Sequence, residues 1–194
     1  MTAAHAFPFR RIGRRLDRWA ERVWAWDEEL MDIVSASRIL RRLDPLLVVA
    51  TYLGYGYLWG ALALALIAFG TEGDQANVLI GLGVVITSVF LSQMMKSVSG
   101  RPRPQFSRHG FHHQFLTDAS FPSNHTTAAF AMAYLVLRLY PWWPNVVVLY
   151  IMAALIGLSR VYLREHFPLD VVGGALLGTC VAHGLLPLFA RLVQ

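Results

Sequence analysis

The sequence predicts an all-α fold, a polytopic membrane helical bundle with about five transmembrane helices preceded by an amphipathic interfacial helix. Composition is the first observation: 56% of the 194 residues are hydrophobic and 15% are charged, which is far more apolar than a soluble domain of this size. The second is a succession of long apolar runs after residue 44. The third is a basic first segment that carries nine of the 17 basic residues. We therefore expect an integral membrane protein with no nucleic-acid partner.

The sequence divides into a basic N-terminal segment, residues 1–42, and a membrane domain, residues 43–194. In the first segment, apolar residues such as Trp19, Val23 and Trp26 recur at spacings of three and four, with charged residues between them. This pattern is typical of an amphipathic helix. We expect the helix to lie in the membrane interface, with its tryptophans as anchors and its arginines facing lipid headgroups. The alternative is a helix packed on the protein's own flank.

Five apolar segments follow in the membrane domain. About 20 helical residues at about 1.5 Å each cross a hydrocarbon core of roughly 30 Å, so the first two segments are long enough and the third and fourth are short. A polar segment, residues 96–122, separates the second from the third, and we expect it to line a wet entrance. The predicted spans cover residues 45–69, 76–95, 124–140, 142–159 and 169–190.

The polar residues that could carry chemistry all fall at one end of these spans. Lys96 ends the second span, His125 begins the third, Arg160 ends the fourth, and His166 and Asp170 stand at the start of the fifth. Antiparallel crossing places these span ends on the same membrane face. The connections at the other face, residues 70–75 and 141–144, contain no candidate catalytic group. One face therefore carries the predicted site.

Three basic residues at this end of the spans are suited to bind a phosphoryl group. Charge spreads over the equatorial oxygens during phosphoryl transfer, so fixed cations and donors stabilise it. Arg103 and Arg160 can each bind two oxygens, and Lys96, the only lysine in the chain, supplies a point charge. The alternative for any one of them is a side chain that reaches a lipid headgroup.

The run Pro122-Ser123-Asn124-His125 resembles the start of a helix. Ser123 would be the N-cap, and the free backbone N–H groups that follow it favour an anion. Ser123 and Asn124 are therefore candidate phosphate-binding residues, although an ordinary helix cap accounts for the same pattern.

His166 and Asp170 supply a candidate nucleophile. They are four residues apart, which on a helix places them on one side. If Asp170 accepts a hydrogen bond from one ring nitrogen of His166, the other nitrogen is unprotonated and can attack phosphorus. His125 would then be the general acid that protonates the leaving oxygen.

Three ordered motifs carry a family resemblance. They are Lys96 with six residues before Arg103-Pro104, Pro-Ser-x-His at residues 122–125, and Ser159-Arg160 with His166 and Asp170 at fixed distances beyond. Together they resemble the signature of the type 2 phosphatidic acid phosphatase family over residues 45–190. The resemblance implies a helical-bundle membrane phosphatase with a phosphohistidine intermediate on His166 and with no metal or other cofactor.

Two features test the fit to that signature. The family usually has glycine where this chain has Asn124, whose backbone tolerates unusual angles better than most residues, so we expect activity to survive and the side chain to narrow the pocket or touch the substrate. Arg101-Pro102 offers a competing register, but Arg103 stands at the family spacing.

The remaining histidines and the cysteine suggest no further chemistry. His109, His112 and His113 lie in the polar segment, and their spacing does not match a helical metal-binding pair. We therefore expect them to contact substrate or solvent, with no metal site. Cys180 lies in an apolar run and has no partner within the chain for a disulfide.

The expected function is hydrolysis of a lipid phosphate or diphosphate such as polyprenyl diphosphate, phosphatidic acid or phosphatidylglycerophosphate. Two alternatives are a vanadate-dependent peroxidase-like enzyme and a non-catalytic protein that binds lipid headgroups. The excess of basic residues on the site face favours a cytoplasmic site by the positive-inside rule, in what we expect to be a bacterial inner membrane. The sequence leaves the headgroup, the tail and the oligomeric state open.

Overall fold

The computed structural model of the protein describes residues 14–104 and 119–193, and the side chains from Arg18 onward within them. All regular structure in these ranges is α-helical, which confirms the all-α prediction. The eight helices are α1 (Arg14–Ala36), α2 (Arg38–Arg42), α3 (Asp44–Leu53), α4 (Tyr57–Phe69), α5 (Glu72–Ser99), α6 (Asn124–Leu139), α7 (Trp143–Tyr162) and α8 (Pro168–Val193).

The five predicted spans are largely helical, but they differ in how they suit a bilayer. Helices α5, α7 and α8 are each long and apolar enough to cross a membrane. The first predicted span is not continuous, because α3 and α4 meet at an angle of 48° and pass the same test only together. The break falls at Gly54–Gly56, where Gly56 adopts a φ of 88° that favours glycine. Helix α6, at 16 residues, is shorter than a typical span.

The centre of the bundle is the close packing of α6 against α8. Added Cβ atoms on Gly174 and Gly178 would lie 2.7 Å from the Ser123 carbonyl oxygen and 2.1 Å from the Thr127 carbonyl oxygen, respectively. These two glycines therefore let the helix backbones touch. The Ser123 N–H donates to the Asp170 carbonyl oxygen at 3.0 Å, so the starts of α6 and α8 are held together at the site end.

Helix α1 lies against the site end of α7 and α8 and has two distinct faces. Met31 packs in a buried cluster with Val161 and Phe167. On the other face, Trp19 is 68% exposed and Trp26 is 52% exposed. The predicted helix is therefore present and also packs on the bundle, while its exposed aromatic residues are available to a membrane interface. Its location in that interface stays a prediction.

The α6–α8 contact makes a direct test of the fold. We expect Gly178→Ala to lower stability by about 1–3 kcal/mol, because a methyl group there meets backbone and the helices must move apart. Gly184→Ala on the same helix is the control, since its added Cβ would have nothing within 4 Å. Thermal unfolding of both variants in detergent measures the difference. Equal unfolding midpoints would contradict this packing.

Candidate active site

The eight predicted site residues meet at one end of the bundle. This is the end at which α5 and α7 finish and α6 and α8 begin, so the predicted antiparallel arrangement brings them together. The positive charges of Arg160, Lys96 and Arg103 act on both imidazoles. The eight residues are Lys96, Arg103, Ser123, Asn124, His125, Arg160, His166 and Asp170.

Lys96 is fixed by backbone carbonyl groups. Its side chain is 2% exposed, and Nζ donates to the carbonyl oxygens of Ala119 at 2.9 Å and Ser120 at 3.1 Å. An ammonium group has three donors, so these two bonds leave one N–H to bind an anion.

Arg103 and Arg160 both face the buried carboxylate of Glu165. The Glu165 Oε2 atom lies 3.6 Å from Nη2 of Arg160 and 3.9 Å from Nη1 of Arg103. These are loose ion pairs, and Nε and Nη1 of Arg160 are buried without a hydrogen-bond partner in the part of the chain that the structure describes. Buried donors of this kind are rare, and they give Arg160 capacity for oxygen ligands. Glu165 was not among the predicted site residues, although an acidic residue beside His166 inside the third motif was a visible signal.

His166 is held as a neutral imidazole. The ring is 2% exposed, and burial lowers the pKa of His166 well below its ordinary value of 6.5. The charges of Arg160, Lys96 and Arg103 lower this pKa further, partly opposed by a hydrogen bond with the Ser120 backbone. A neutral ring at pH 7 has an unprotonated nitrogen, which nucleophilic attack requires.

Asp170 faces His166, but the two do not share a helix. Helix α8 begins at Pro168, so the prediction that a helix stacks them is wrong. Proline suits the first helical position and disfavours helix in the residue before it, so His166 lies in the loop that precedes α8. The loop still brings Nδ1 of His166 within 3.5 Å of Oδ2 of Asp170. Such contacts are often long in a free enzyme and shorten when substrate binds.

Arg101 holds the Asp170 carboxylate from its other side. Oδ1 of Asp170 accepts from Nη1 of Arg101 at 2.7 Å, and Oδ2 accepts from the Phe167 N–H at 2.9 Å. In the sequence, Arg101 stood out only as a competing register for Arg103. The structure instead gives the two arginines different positions, with Arg103 beside Glu165 and Arg101 on Asp170.

The start of α6 carries His125 and the unusual Asn124. The His125 ring meets Tyr55 edge to face, with ring centroids 4.8 Å apart. The Asn124 amide is tied to α5, since Oδ1 accepts from Ser92 at 2.6 Å and Nδ2 donates to Gln93 at 2.8 Å. The expected contact of this side chain with substrate therefore competes with two existing hydrogen bonds. Its backbone N–H remains at the helix start.

Ser123 is the N-cap of α6, as predicted, but its side chain makes no capping hydrogen bond. Its hydroxyl instead accepts from Thr126 at 3.1 Å, and the residue is fully buried. The N–H groups of the first turn are therefore not satisfied by the cap side chain, which keeps them available to an anion.

An apolar cavity of about 580 Å³ extends from the site into the bundle. Gly54 and His125 line it near the site, and Tyr140 and Asn145 line it at the other end of the bundle. The α6 residues along its wall run from His125 to Leu139, a distance of about 21 Å at 1.5 Å per residue. The cavity is therefore long enough to follow a lipid chain through much of one membrane.

No group of three metal-binding side chains occurs in residues 14–104 and 119–193. The segment with His109, His112 and His113 lies outside the described residues. The known donor groups at the site are cations and imidazoles beside buried carboxylates, and this set suits an anion better than a metal ion.

A membrane bundle whose helix ends surround a neutral histidine with three cations defines a class of protein, the membrane-embedded phosphatases with a histidine site. The comparison with known families makes the assignment specific. The PAP2 superfamily model matches residues 77–194, and the chain belongs to this superfamily. The predicted family is thereby confirmed.

Several relatives are lipid phosphatases by name. The chain is 33% identical to the putative undecaprenyl-diphosphatase YbjG of Escherichia coli K12 over 138 residues, which cover 69% of this chain and 60% of that protein. It is 32% identical to undecaprenyl-diphosphatase BcrC of Bacillus subtilis 168 over 146 residues, which cover 72% and 71%.

Solved structures share the fold. The PAP2-type phosphatidylglycerolphosphate phosphatase of Bacillus subtilis aligns with a TM-score of 0.68 at 25% identity, over 89% of this chain and 88% of that one. LpxE of Aquifex aeolicus aligns with a TM-score of 0.60 at 29% identity, over 82% and 93%. The membrane phosphatase fold therefore extends over most of this chain, including part of the N-terminal segment.

Proposed function

We propose that this protein removes phosphate from a polyprenyl diphosphate through a phosphohistidine on His166, without a metal ion. The observation that carries the proposal is a buried His166 under the positive charges of Lys96, Arg103 and Arg160. An apolar cavity reaches the same site at His125. The cations bind the phosphoryl group, and the cavity takes the adjoining part of the lipid tail.

In the first step, Nε2 of His166 attacks the terminal phosphorus while Nδ1 donates to Asp170. The bond from phosphorus to the bridging oxygen breaks, and His125, which takes up a proton once the negative charges of the diphosphate are bound beside it, gives that proton to the bridging oxygen as the lipid monophosphate leaves. Lys96, Arg103 and Arg160 offset the charge that develops on the equatorial oxygens. Among the described residues, Nε and Nη1 of Arg160 have no hydrogen-bond partner, so both can bind phosphoryl oxygens.

In the second step, water attacks the phosphohistidine. His125, now neutral, accepts a proton from this water as the P–N bond to His166 breaks. Inorganic phosphate leaves the cations, and both histidines return to their starting protonation states. Atoms and charges balance without a metal-bound water, which is consistent with the donor set of the site.

The cavity and the relatives together support a prenyl substrate. The apolar cavity that reaches His125 can take a lipid chain, and relatives of this chain are named as undecaprenyl-diphosphatases. Phosphatidylglycerophosphate is the second candidate, because a phosphatidylglycerolphosphate phosphatase shares this fold at a TM-score of 0.68.

The two other functions have less support. A peroxidase-like enzyme would share the anion-binding residues, but it would not need a cavity that follows the bundle for about 21 Å. A headgroup-binding protein would not need His166 facing Asp170 at 3.5 Å.

We place the protein in a bacterial plasma membrane with the site on the cytoplasmic face. Nine basic residues precede Asp44. The described ones among them belong to α1 and α2, at the end of the bundle where α3 begins and where the catalytic cations lie. Basic residues flanking the first span favour the cytoplasm. The substrate would then come from the inner leaflet.

The test of activity is phosphate release in detergent from polyprenyl diphosphate, phosphatidylglycerophosphate and phosphatidic acid. We expect the polyprenyl diphosphate to give the highest kcat/KM, and His166→Ala to lower its kcat by about 10⁴-fold or more, because a nucleophile is lost. His183→Ala is the matched control, since this exposed histidine of α8 bonds only to Tyr134 among the interactions described, and it should retain wild-type activity.

Chelator is included in the same assay. Full activity in EDTA is expected, while a requirement for added divalent ions would contradict the metal-free mechanism. Activity of His166→Ala within about tenfold of wild type would contradict the nucleophile.

Orientation is tested by labelling cysteines in intact cells after Cys180→Ala. Thr71→Cys lies in the exposed turn before α5, and Ser97→Cys lies in the exposed last turn of α5 at the site end. An impermeant thiol reagent added outside should label the first and leave the second until the membrane is opened. The reverse pattern would place the site on the outer face.

A further inference from the structure

We propose that helix α1 is part of the catalytic apparatus, with Asp27 as a positioning residue. Through Arg101, Asp27 fixes the Asp170 carboxylate that orients His166. The inference rests on the proposed role of His166 and adds a residue from outside the three motifs, 69 positions before the first of them.

Arg101 is the link between the two carboxylates. Its Nη1 donates to Asp170 at 2.7 Å, and its Nη2 donates to Oδ2 of Asp27. Both carboxylates are fully buried. Because each Nη nitrogen of the guanidinium group donates to a different carboxylate, the group cannot turn toward one carboxylate without breaking its hydrogen bond to the other.

Two aromatic rings hold the guanidinium in this position. The Cζ atom of Arg101 lies 4.6 Å from the ring centroid of Trp24 and 4.4 Å from that of Phe167. Trp24 belongs to α1, and Phe167 directly follows His166. Helix α1 therefore supplies both a carboxylate and an aromatic face to the same arginine, and cation–π attraction is strongest in such desolvated places.

Asp27 also holds the start of α8. Its Oδ1 atom accepts from the Leu169 N–H at 2.9 Å, one of the first-turn N–H groups that have no partner within their own helix. Asp27 thus does from a different helix what an N-cap does locally. The bonded residue is the neighbour of Asp170, so one side chain fixes the Asp170 backbone and, through Arg101, its carboxylate.

Removal of the Asp27 charge would change the geometry at His166. Arg101 could then donate to Asp170 from both Nη nitrogens, because arginine prefers to bind a carboxylate through two parallel hydrogen bonds. The Asp170 Oδ2 atom would then be drawn toward Arg101 and away from Nδ1 of His166, now 3.5 Å distant. The imidazole would lose the partner that sets its tautomer and aim.

Phosphate binding should not depend on this link. Among the described residues, Lys96 is held by the Ala119 and Ser120 carbonyl groups, and Arg103 and Arg160 face Glu165. None of these contacts includes Asp27. A positioning defect should therefore appear in kcat, while a general structural defect should also weaken phosphate binding.

The test compares Asp27→Asn with Glu28→Gln in the full-length protein. The amide keeps the size of Asp27 and can still accept from Leu169, whereas Glu28 is the exposed next residue of α1 and loses the same charge. We expect Asp27→Asn to lower kcat for the lipid substrate by about 10- to 100-fold, the cost of a misplaced catalytic group. The inhibition constant of inorganic phosphate should stay within about twofold of wild type, and Glu28→Gln should match wild type in both values.

A second variant makes the result independent of the amide. Arg101→Lys keeps a positive charge between the carboxylates but cannot donate to both of them in the geometry of a guanidinium group. We expect it to lower kcat as much as Asp27→Asn does, with an unchanged inhibition constant of inorganic phosphate. The double variant should be no slower than the slower single variant, because the two residues act as one unit. If Asp27→Asn does not fold, the test uses Arg101→Lys and Asp27→Glu instead. We then expect Asp27→Glu, which keeps a carboxylate beside Arg101, to retain more activity than Arg101→Lys.

The outcomes separate this inference from the proposed function. The positioning role is overturned if Asp27→Asn or Arg101→Lys keeps the wild-type kcat. It is also overturned if kcat falls and the inhibition constant of inorganic phosphate rises together. In either case the phosphatase assignment stands. A wild-type protein that releases no phosphate from any lipid overturns the proposed function itself.

Discussion

The structure depends on the burial of opposite charges at one end of a hydrophobic bundle. Charged groups are costly inside a membrane protein unless they are paired, and here four cations and three carboxylates lie together where the helices end. The four cations are Lys96, Arg101, Arg103 and Arg160, and the three carboxylates are Asp27, Glu165 and Asp170. Among the residues that the structure describes, the cations of the site therefore outnumber its carboxylates by one, and an anionic substrate can supply the missing partner.

The helices are arranged so that these pairs can form. Gly174 and Gly178 of α8 let α6 approach to backbone contact, which places the starts of the two helices side by side. The Ser123 N–H then reaches the Asp170 carbonyl group. Close packing in the middle of the bundle and charge pairing at its end support one another, because any separation of α6 from α8 would also separate the groups of the site.

Much of the architecture could be predicted from the sequence, since apolar run length fixes spans and antiparallel crossing fixes which span ends meet. The bend between α3 and α4 could not, because Gly54 and Gly56 lie in an apolar run that periodicity alone does not interrupt. The closeness of His166 and Asp170 comes from a loop and not from the helix that the spacing suggested, because Pro168 starts the helix after His166 rather than before it.

The partners of the site residues were harder to predict than the residues themselves. Asp27 lies among charged residues of an amphipathic helix, and its burial depends on which face of α1 meets the bundle. The spacing of Trp24, Asp27 and Met31 marks that face in retrospect. Lys96 binds backbone carbonyl groups, which no side-chain pattern encodes.

The proposed mechanism requires that His166 become covalently phosphorylated. The most direct measurement is to mix the protein with lipid diphosphate labelled with ³²P on the terminal phosphate, quench in alkali within one turnover and map the label by mass spectrometry. Phosphohistidine survives alkali and is lost in acid, so the account predicts acid-labile label on His166. Label on another residue, or hydrolysis at the full rate with no labelled protein at any quench time, would contradict it.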